Sequence, residues 1–210
     1  MNSLQSATSA QARRNRKLLS EASYLGERIN SRVLPLDIDI AGPLTTQQRD
    51  ALAGLGVEAA STAISSLASL AKIGELDHLG GGLELIDPLL MTLAVADGET
   101  VDYTIEHAHT SIGYYAALAA FGYVKAKDVI DGFRRGIDIA GHVSWLPGGT
   151  QLNGGRLGVM VPVAVGQALG RRARKGNDAW VITHCGDAGW ISCQALNGFN
   201  GASALGAPVT

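Results

Sequence analysis

Apolar positions recur at helical spacing through most of the first 140 residues, and the pattern changes character only late in the chain. Leu18, Leu19, Ala22 and Leu25 share one side of a helix expected from Ala12 to about Ile29, behind a disordered stretch over 1–12. Residues 33–43 alternate apolar and acidic positions between prolines, which predicts an extended connector or short edge strand. Thr45 has the chemistry of an N-cap for a long Ala- and Ser-rich helix ending near Leu70. Three consecutive glycines, Gly80 to Gly82, force a loop after Asp77 and His78. Helices then follow over Leu83–Val95, Ser111–Phe121 and Ala126–Arg135, with a short mixed stretch over Thr104–His109. Residues 141–158 carry six glycines in 18 positions and predict a long shaped loop, a feature usually functional in a compact domain. Val159–Arg174 is helical, Trp180–Cys185 is a strand, Gly186–Gly189 is a tight turn, and Ile191 to about Ala204 is a helix weakened by Gly198 and Gly201. Pro208 to Thr210 is extended. Helix, strand, turn and helix in that order predict an α/β fold: a parallel sheet with helices on both faces over 75–210, preceded by an N-terminal helical extension over 1–74.

Composition narrows the partners. With 17 basic and 19 acidic residues the net charge is −2, which offers nothing to nucleic acid or to an anionic membrane. Arg171, Arg172, Arg174 and Lys175 cluster at a helix end, where cations oppose the helix dipole, and read as a solvated terminus. No run of about 18 apolar residues predicts a membrane span. Residues 1–20 contain no acid, a composition shared by transit peptides; an ordinary basic helix is the plainer reading. Cys185 and Cys193 have neither CxxC nor zinc spacing and are expected as buried, reduced thiols in a cytoplasmic setting.

The candidate chemistry sits in the loops. His78 and His142 lie in Gly-rich loops, and His107 and His109 flank a helix start; several loops each offering one histidine point to a shared polar cleft. A zinc site does not fit, because no histidine pair is followed by an acidic ligand at helical spacing, and His107 and His109 cannot both face one metal from a regular helix. Asp187 follows a strand and precedes a helix, so its carboxylate belongs at the crevice where α/β folds take ligands. Small neighbours and a helix N-terminus suit a phosphate, and a carboxylate beside a phosphate needs a bridging cation such as Mg²⁺. Gly154-Gly155-Arg156-Leu157-Gly158, just before another helix, is a second phosphate-facing turn; it is neither a Walker A loop nor GxGxxG.

Five segments in order resemble the N-terminal domain of transketolases: Asp77-His78-Leu79-Gly80-Gly81; Ala108-His109-Thr110-Ser111 with Tyr115 to Leu118; Gly141-His142-Val143; Gly155-Arg156-Leu157-Gly158 with Ala164 to Leu169; and Gly186-Asp187-Ala188. The resemblance implies the thiamine-diphosphate-binding fold and a dependence on thiamine diphosphate and Mg²⁺. It implies that Asp187 ligates the metal and that Gly186 and Ala188 lie against the diphosphate. It further implies that Gly155 and Leu157 offer backbone contacts to the cofactor, that His109 binds the diphosphate side, and that His78 and His142 contact donor hydroxyls and assist proton transfer. The sequence departs from the family at Ala188, where the motif has Gly, at Ala108, and at Trp190 to Cys193, where an acid is usual. The Asn closing the motif is expected beyond Thr210, and the glutamate that activates the pyrimidine ring in a second domain or subunit, so the chain is expected to be an incomplete cofactor domain, inactive alone and part of a homo- or hetero-oligomer. The implied activity is ketol transfer between sugar phosphates. A 2-oxo acid dehydrogenase first component or deoxyxylulose-phosphate synthase keeps the cofactor with another substrate, and a non-catalytic interaction module keeps only the fold.

Overall fold

In a computed structural model, the structure describes residues 36, 38, 42–76, 82–98, 100–136, 138–146, 148–150, 152–176 and 179–210. The expected helix over 12–29, the His78 loop and most of the 33–43 connector lie outside the described residues. Among the described residues the chain is mixed α/β, with seven α-helices and a two-stranded parallel sheet. The elements are α1 (Thr46–Lys72), α2 (Ile86–Val95), β1 (Val101–Ile105), α3 (Ser111–Ala120), α4 (Ala126–Gly132), α5 (Met160–Lys175), β2 (Trp180–His184), α6 (Asp187–Trp190) and α7 (Cys193–Leu205). They divide into two compact units, the first built from residues up to Val95 together with His109–Gly149, the second from Ala96–Ala108 and Thr150–Thr210.

Unit one is helical. Thr45 starts α1 through a capping box: its hydroxyl accepts the Gln48 N–H at 3.2 Å while the Gln48 side chain accepts the Thr45 N–H at 2.8 Å. One face of α1 buries Leu55, Ala59, Ala63, Leu67 and Leu70, and the alanines allow close approach of α3 and α4. An 18-residue window of α1 reaches a mean hydropathy of 1.3, so by length and composition this helix is apolar enough to cross a membrane. A third of that window (33%) is buried against its own unit. Ser66 Oγ donates to the Val129 carbonyl at 3.2 Å and Arg135 donates to the Ser69 carbonyl at 3.0 Å, tying α1 to α4 and the turn after it. Helix α4 stops at Gly132, three residues before the expected Arg135, because Phe133 leaves helical geometry (ψ 125°) and Arg134 takes a positive φ of 59°. Tyr114 and Tyr115 meet edge to face with ring centroids 5.1 Å apart, and Phe121 stacks on Tyr123 at 6.3 Å.

Unit two holds the sheet. β1 and β2 are parallel, in register from Val101 opposite Trp180 to Ile105 opposite His184. Asn153 adds a parallel bridge to Ile105 on one side and Val209 adds one to Val181 on the other. The Thr183 N–H donates to the Thr210 carbonyl at 2.7 Å, so the segment expected to be extended over 208–210 continues the sheet. Helix α5 packs on this sheet, with Ala164 and Ala168 against Val181 and Val209, and α7 packs on α5, where Gly198 leaves room for Val161 and Pro162. Two of the arginines expected to be solvated, Arg171 and Arg172, are instead fasteners, while Arg174 is exposed. Arg171 pairs with Asp102, which also accepts Gln167 Nε2 at 2.9 Å, and Arg172 donates to the carbonyls of Leu205 and Gly206 that end α7. A guanidinium beside the orphan carbonyls of a neighbouring helix satisfies them as a C-cap would.

Candidate functional site

The carboxyl ends of the strands in unit two converge on Glu106. The sequence Val101-Asp102-Tyr103-Thr104-Ile105 alternates and is rich in β-branched and aromatic residues, which favours a strand, and Glu106 is the first residue beyond it. Its N–H donates to the His184 carbonyl at 2.8 Å, continuing the ladder with β2 by one step. The residue is 1% exposed. Its carboxylate accepts on both oxygens: Oε1 takes the Gly158 N–H, and Oε2 takes the Gly186 N–H at 3.4 Å and faces the Cys185 thiol at 3.7 Å. Two glycine turns, 154–158 and 185–189, therefore meet on one buried acid. A buried carboxylate is tolerable only when its lone pairs are filled in this way.

The titratable neighbours follow the same logic. Burial, reinforced by the nearby Glu106 charge and hydrogen bond, pushes the Cys185 thiol up to about 12, so it stays protonated and donates. Burial, with His107 alongside, lowers His184 to about 4, so its ring is neutral at neutral pH. His107 Nδ1 lies 3.2 Å from the His184 carbonyl.

Asp187 is the first residue of the one-turn helix α6, with Gly186 as its N-cap, so the expected tight turn is a helix start. The strand has already ended at His184, and Asp187 follows it by three residues. Its carboxylate is exposed, and Oδ1 accepts the Ala188 N–H at 2.7 Å. Ala188 is exposed, so the methyl group that replaces the motif's glycine hydrogen faces outward; it is Gly189 that has no room, since a Cβ there would overlap Glu106 Oε2 and lie 2.9 Å from Cys185 Sγ. Gly155 and Leu157 are exposed on the second turn, which Gly158 closes at a φ of +77° against Ser192, the N-cap of α7. Helix α7 thus starts two residues later than Ile191, because Ser192 accepts the Ala195 N–H at 3.1 Å. Cys185 is half-buried and Cys193 is exposed, which corrects the expectation of two buried thiols.

His109 and His142 belong to unit one, and both are exposed. They occupy linked segments. His109 lies in the 3₁₀ turn Ala108–Thr110 that leads into α3, and the same helix holds the His142 loop: Ser111 Oγ donates to the Gly141 carbonyl at 2.8 Å, and Tyr115 Oη donates to the His142 carbonyl at 3.0 Å while accepting the Ser144 N–H at 3.1 Å. A cleft of about 450 Å³ also opens in unit one, lined by Tyr123, Asp128, Asp131, Arg135, Asp138 and Leu146 among others. Among the described residues, none of Asp187, His109 and His142 lines it, and Asp131 and Arg135 are engaged by Lys127 and Ser69.

The chain matches no protein-family model, no curated protein and no solved structure. Among the described residues no group of three or more His, Cys, Asp and Glu side chains is gathered to hold a metal ion. A hard cation that keeps phosphate oxygens and water as ligands needs only one or two protein carboxylates, and an exposed Asp187 on a turn with small neighbours fits that donor set. Glu106 is not among the candidates the sequence offers, because Thr104–His109 looks mixed; its one local signal is an acid directly after the alternating run Val101–Ile105.

Proposed function

We propose that the chain is the diphosphate-binding part of a thiamine-diphosphate-dependent enzyme of the transketolase type, acting on sugar phosphates. The observation that carries this reading is the pair of glycine turns in unit two, one leading directly from β2 into Asp187 and the other directly after the parallel bridge at Asn153, both anchored on Glu106. Ligands of open α/β sheets bind at the carboxyl ends of the strands, and helix starts with small residues accept phosphate oxygens. The architecture we infer for the whole domain is a parallel sheet with helices on both faces, the thiamine-diphosphate-binding fold.

In this reading Asp187 holds Mg²⁺, and the backbone of exposed Gly155, Leu157 and Ala188 and of half-buried Gly186 lies along the diphosphate. When bound, thiamine diphosphate supplies the electron sink for breaking the bond beside a ketone. The protein's part is to hold, orient and move protons. His109 serves the diphosphate side and His142 the donor hydroxyls; the Ser111 and Tyr115 hydrogen bonds give the His142 loop a fixed shape. His78 is assigned the same role as His142. The glutamate that activates the pyrimidine ring comes from a second domain or from a partner in a homo- or hetero-oligomer, and free thiols suit a cytoplasmic setting. Calorimetric titration with thiamine diphosphate, with and without Mg²⁺, tests the reading. Saturable binding that needs Mg²⁺ supports it; equal heats with and without Mg²⁺, or none at all, reject it. Once a partner restores turnover, a product screen with ketose and 2-oxo acid donors decides the substrate class, and His142→Ala lowers kcat/KM with cofactor affinity nearly unchanged.

A further inference from the structure

We propose that Glu106 is a positioning residue that couples the turn 154–158 to the turn 185–189, and through the second turn sets Asp187 for cation binding. The last clause rests on the function proposed above; the coupling does not. Three observations carry it. Glu106 divides its two oxygens between the turns, Oε1 to Gly158 and Oε2 to Gly186 and Cys185. The glycines that touch it are sterically required: a Cβ at Gly154 would overlap the Glu106 carbonyl oxygen, and one at Gly189 would overlap Oε2. Gly155, on the same turn but away from Glu106, has open space where a Cβ would go. Gly189 is thus required by the Glu106 side chain and Gly154 by the Glu106 backbone, whereas Gly158 is required by its φ of +77° against Ser192 and Gly186 lies against His107. An apolar residue would fill the same space with no charge to bury, so the carboxylate is kept for what it holds.

Movement of Oε2 on one turn must be felt by Oε1 on the other, because the carboxylate is rigid and planar. Gly189→Ala, whose methyl group would displace Oε2, should therefore disturb the Gly158 amide through Glu106 and not through the backbone. A purely structural buried acid would produce a general loss of stability instead.

The experiment uses the ¹⁵N-labelled full chain without ligand. Gly189→Ala is expected to shift the Gly158 amide resonance in the otherwise wild-type chain, and to leave it in place in a Glu106→Ala background. Glu106→Gln keeps one acceptor and is expected to speed hydrogen exchange at Gly186 or Gly158 roughly tenfold, the worth of one hydrogen bond to a charged group. If Glu106→Ala does not fold, the response of Gly158 to Gly189→Ala and to Glu106→Gln decides alone. A Gly158 amide indifferent to both substitutions overturns the proposal. Magnesium pyrophosphate is then titrated as the probe. Roughly tenfold weaker binding to Glu106→Gln than to wild type, at a similar melting temperature, supports the link to Asp187; equal binding overturns that link. Failure of the wild-type chain to bind rejects the proposed function and with it that link, while the amide coupling still stands or falls on its own.

Discussion

Acid should unfold unit two earlier than its carboxylates alone would require, and His184 is the reason. Its ring sits at the carboxyl end of β2, half-buried beside His107, and its pKa falls from 6.5 to about 4. The folded state therefore favours the neutral ring. As pH drops below 6.5 the unfolded chain takes up a proton that the folded chain refuses until about pH 4. The stability associated with His184 is fully present above 6.5, shrinks through that window, and stops shrinking below 4, where both states are protonated. At about 1.4 kcal/mol per unit, the depression amounts to about 3 kcal/mol. Partial contact with water trims this toward about 2 kcal/mol. The assay is urea unfolding of wild type and His184→Gln from about pH 7.5 to about pH 4, which removes the titration while every carboxylate common to both chains cancels in the difference. Wild type should lose stability relative to the variant as pH falls, by about 2 kcal/mol over the window. Parallel curves for the two chains would refute the reasoning.

Three further outcomes follow from the same geometry. Arg171→Ala removes the partner of Asp102 between α5 and β1 and should cost about 2 kcal/mol by denaturant unfolding, the value of a charged hydrogen bond with little exposure; a change under about 0.5 kcal/mol would show a solvated helix end after all. A maleimide added at about pH 8 should label the exposed Cys193 first and leave Cys185, pushed up to about 12, largely unmodified, as read by peptide mass. The chain without any partner should give no ketol transfer above free cofactor with thiamine diphosphate, Mg²⁺ and a ketose donor, and product formation there would place the pyrimidine-side glutamate in this chain or remove the need for one.

Much of the helical framework was legible because its signals are local. Thr45 capping α1, the apolar run of α2 and the cationic end of α5 each depend on residues within a few positions. Strand β2 was legible for the same reason: a β-branched run ends at a glycine turn. Strand β1 was not, because its acid at position 102 looks like a surface charge until Gln167 and Arg171 close over it. Whether an arginine is solvated or a fastener depends on what lies across from it, and nothing near Arg172 in sequence announces the carbonyls of Leu205 and Gly206. The site divides the same way. Asp187 and the two glycine turns stand out as motifs, whereas Glu106 acquires its meaning only when positions 158 and 186 are brought to it.

Two turns and an Asp187 that receive a magnesium-bound diphosphate should report it at their own amides, and residue-resolved titration is the decisive measurement. Amide spectra of the full chain are followed as thiamine diphosphate is added with Mg²⁺, with a chelator, and to Asp187→Ala. Saturating shifts are expected at Gly155, Leu157, Gly186, Asp187 and Ala188, and they vanish with the chelator and in the variant. Unchanged spectra at those residues, or shifts that survive both the loss of Mg²⁺ and the loss of the Asp187 carboxylate, would contradict a magnesium-bound diphosphate at the two turns.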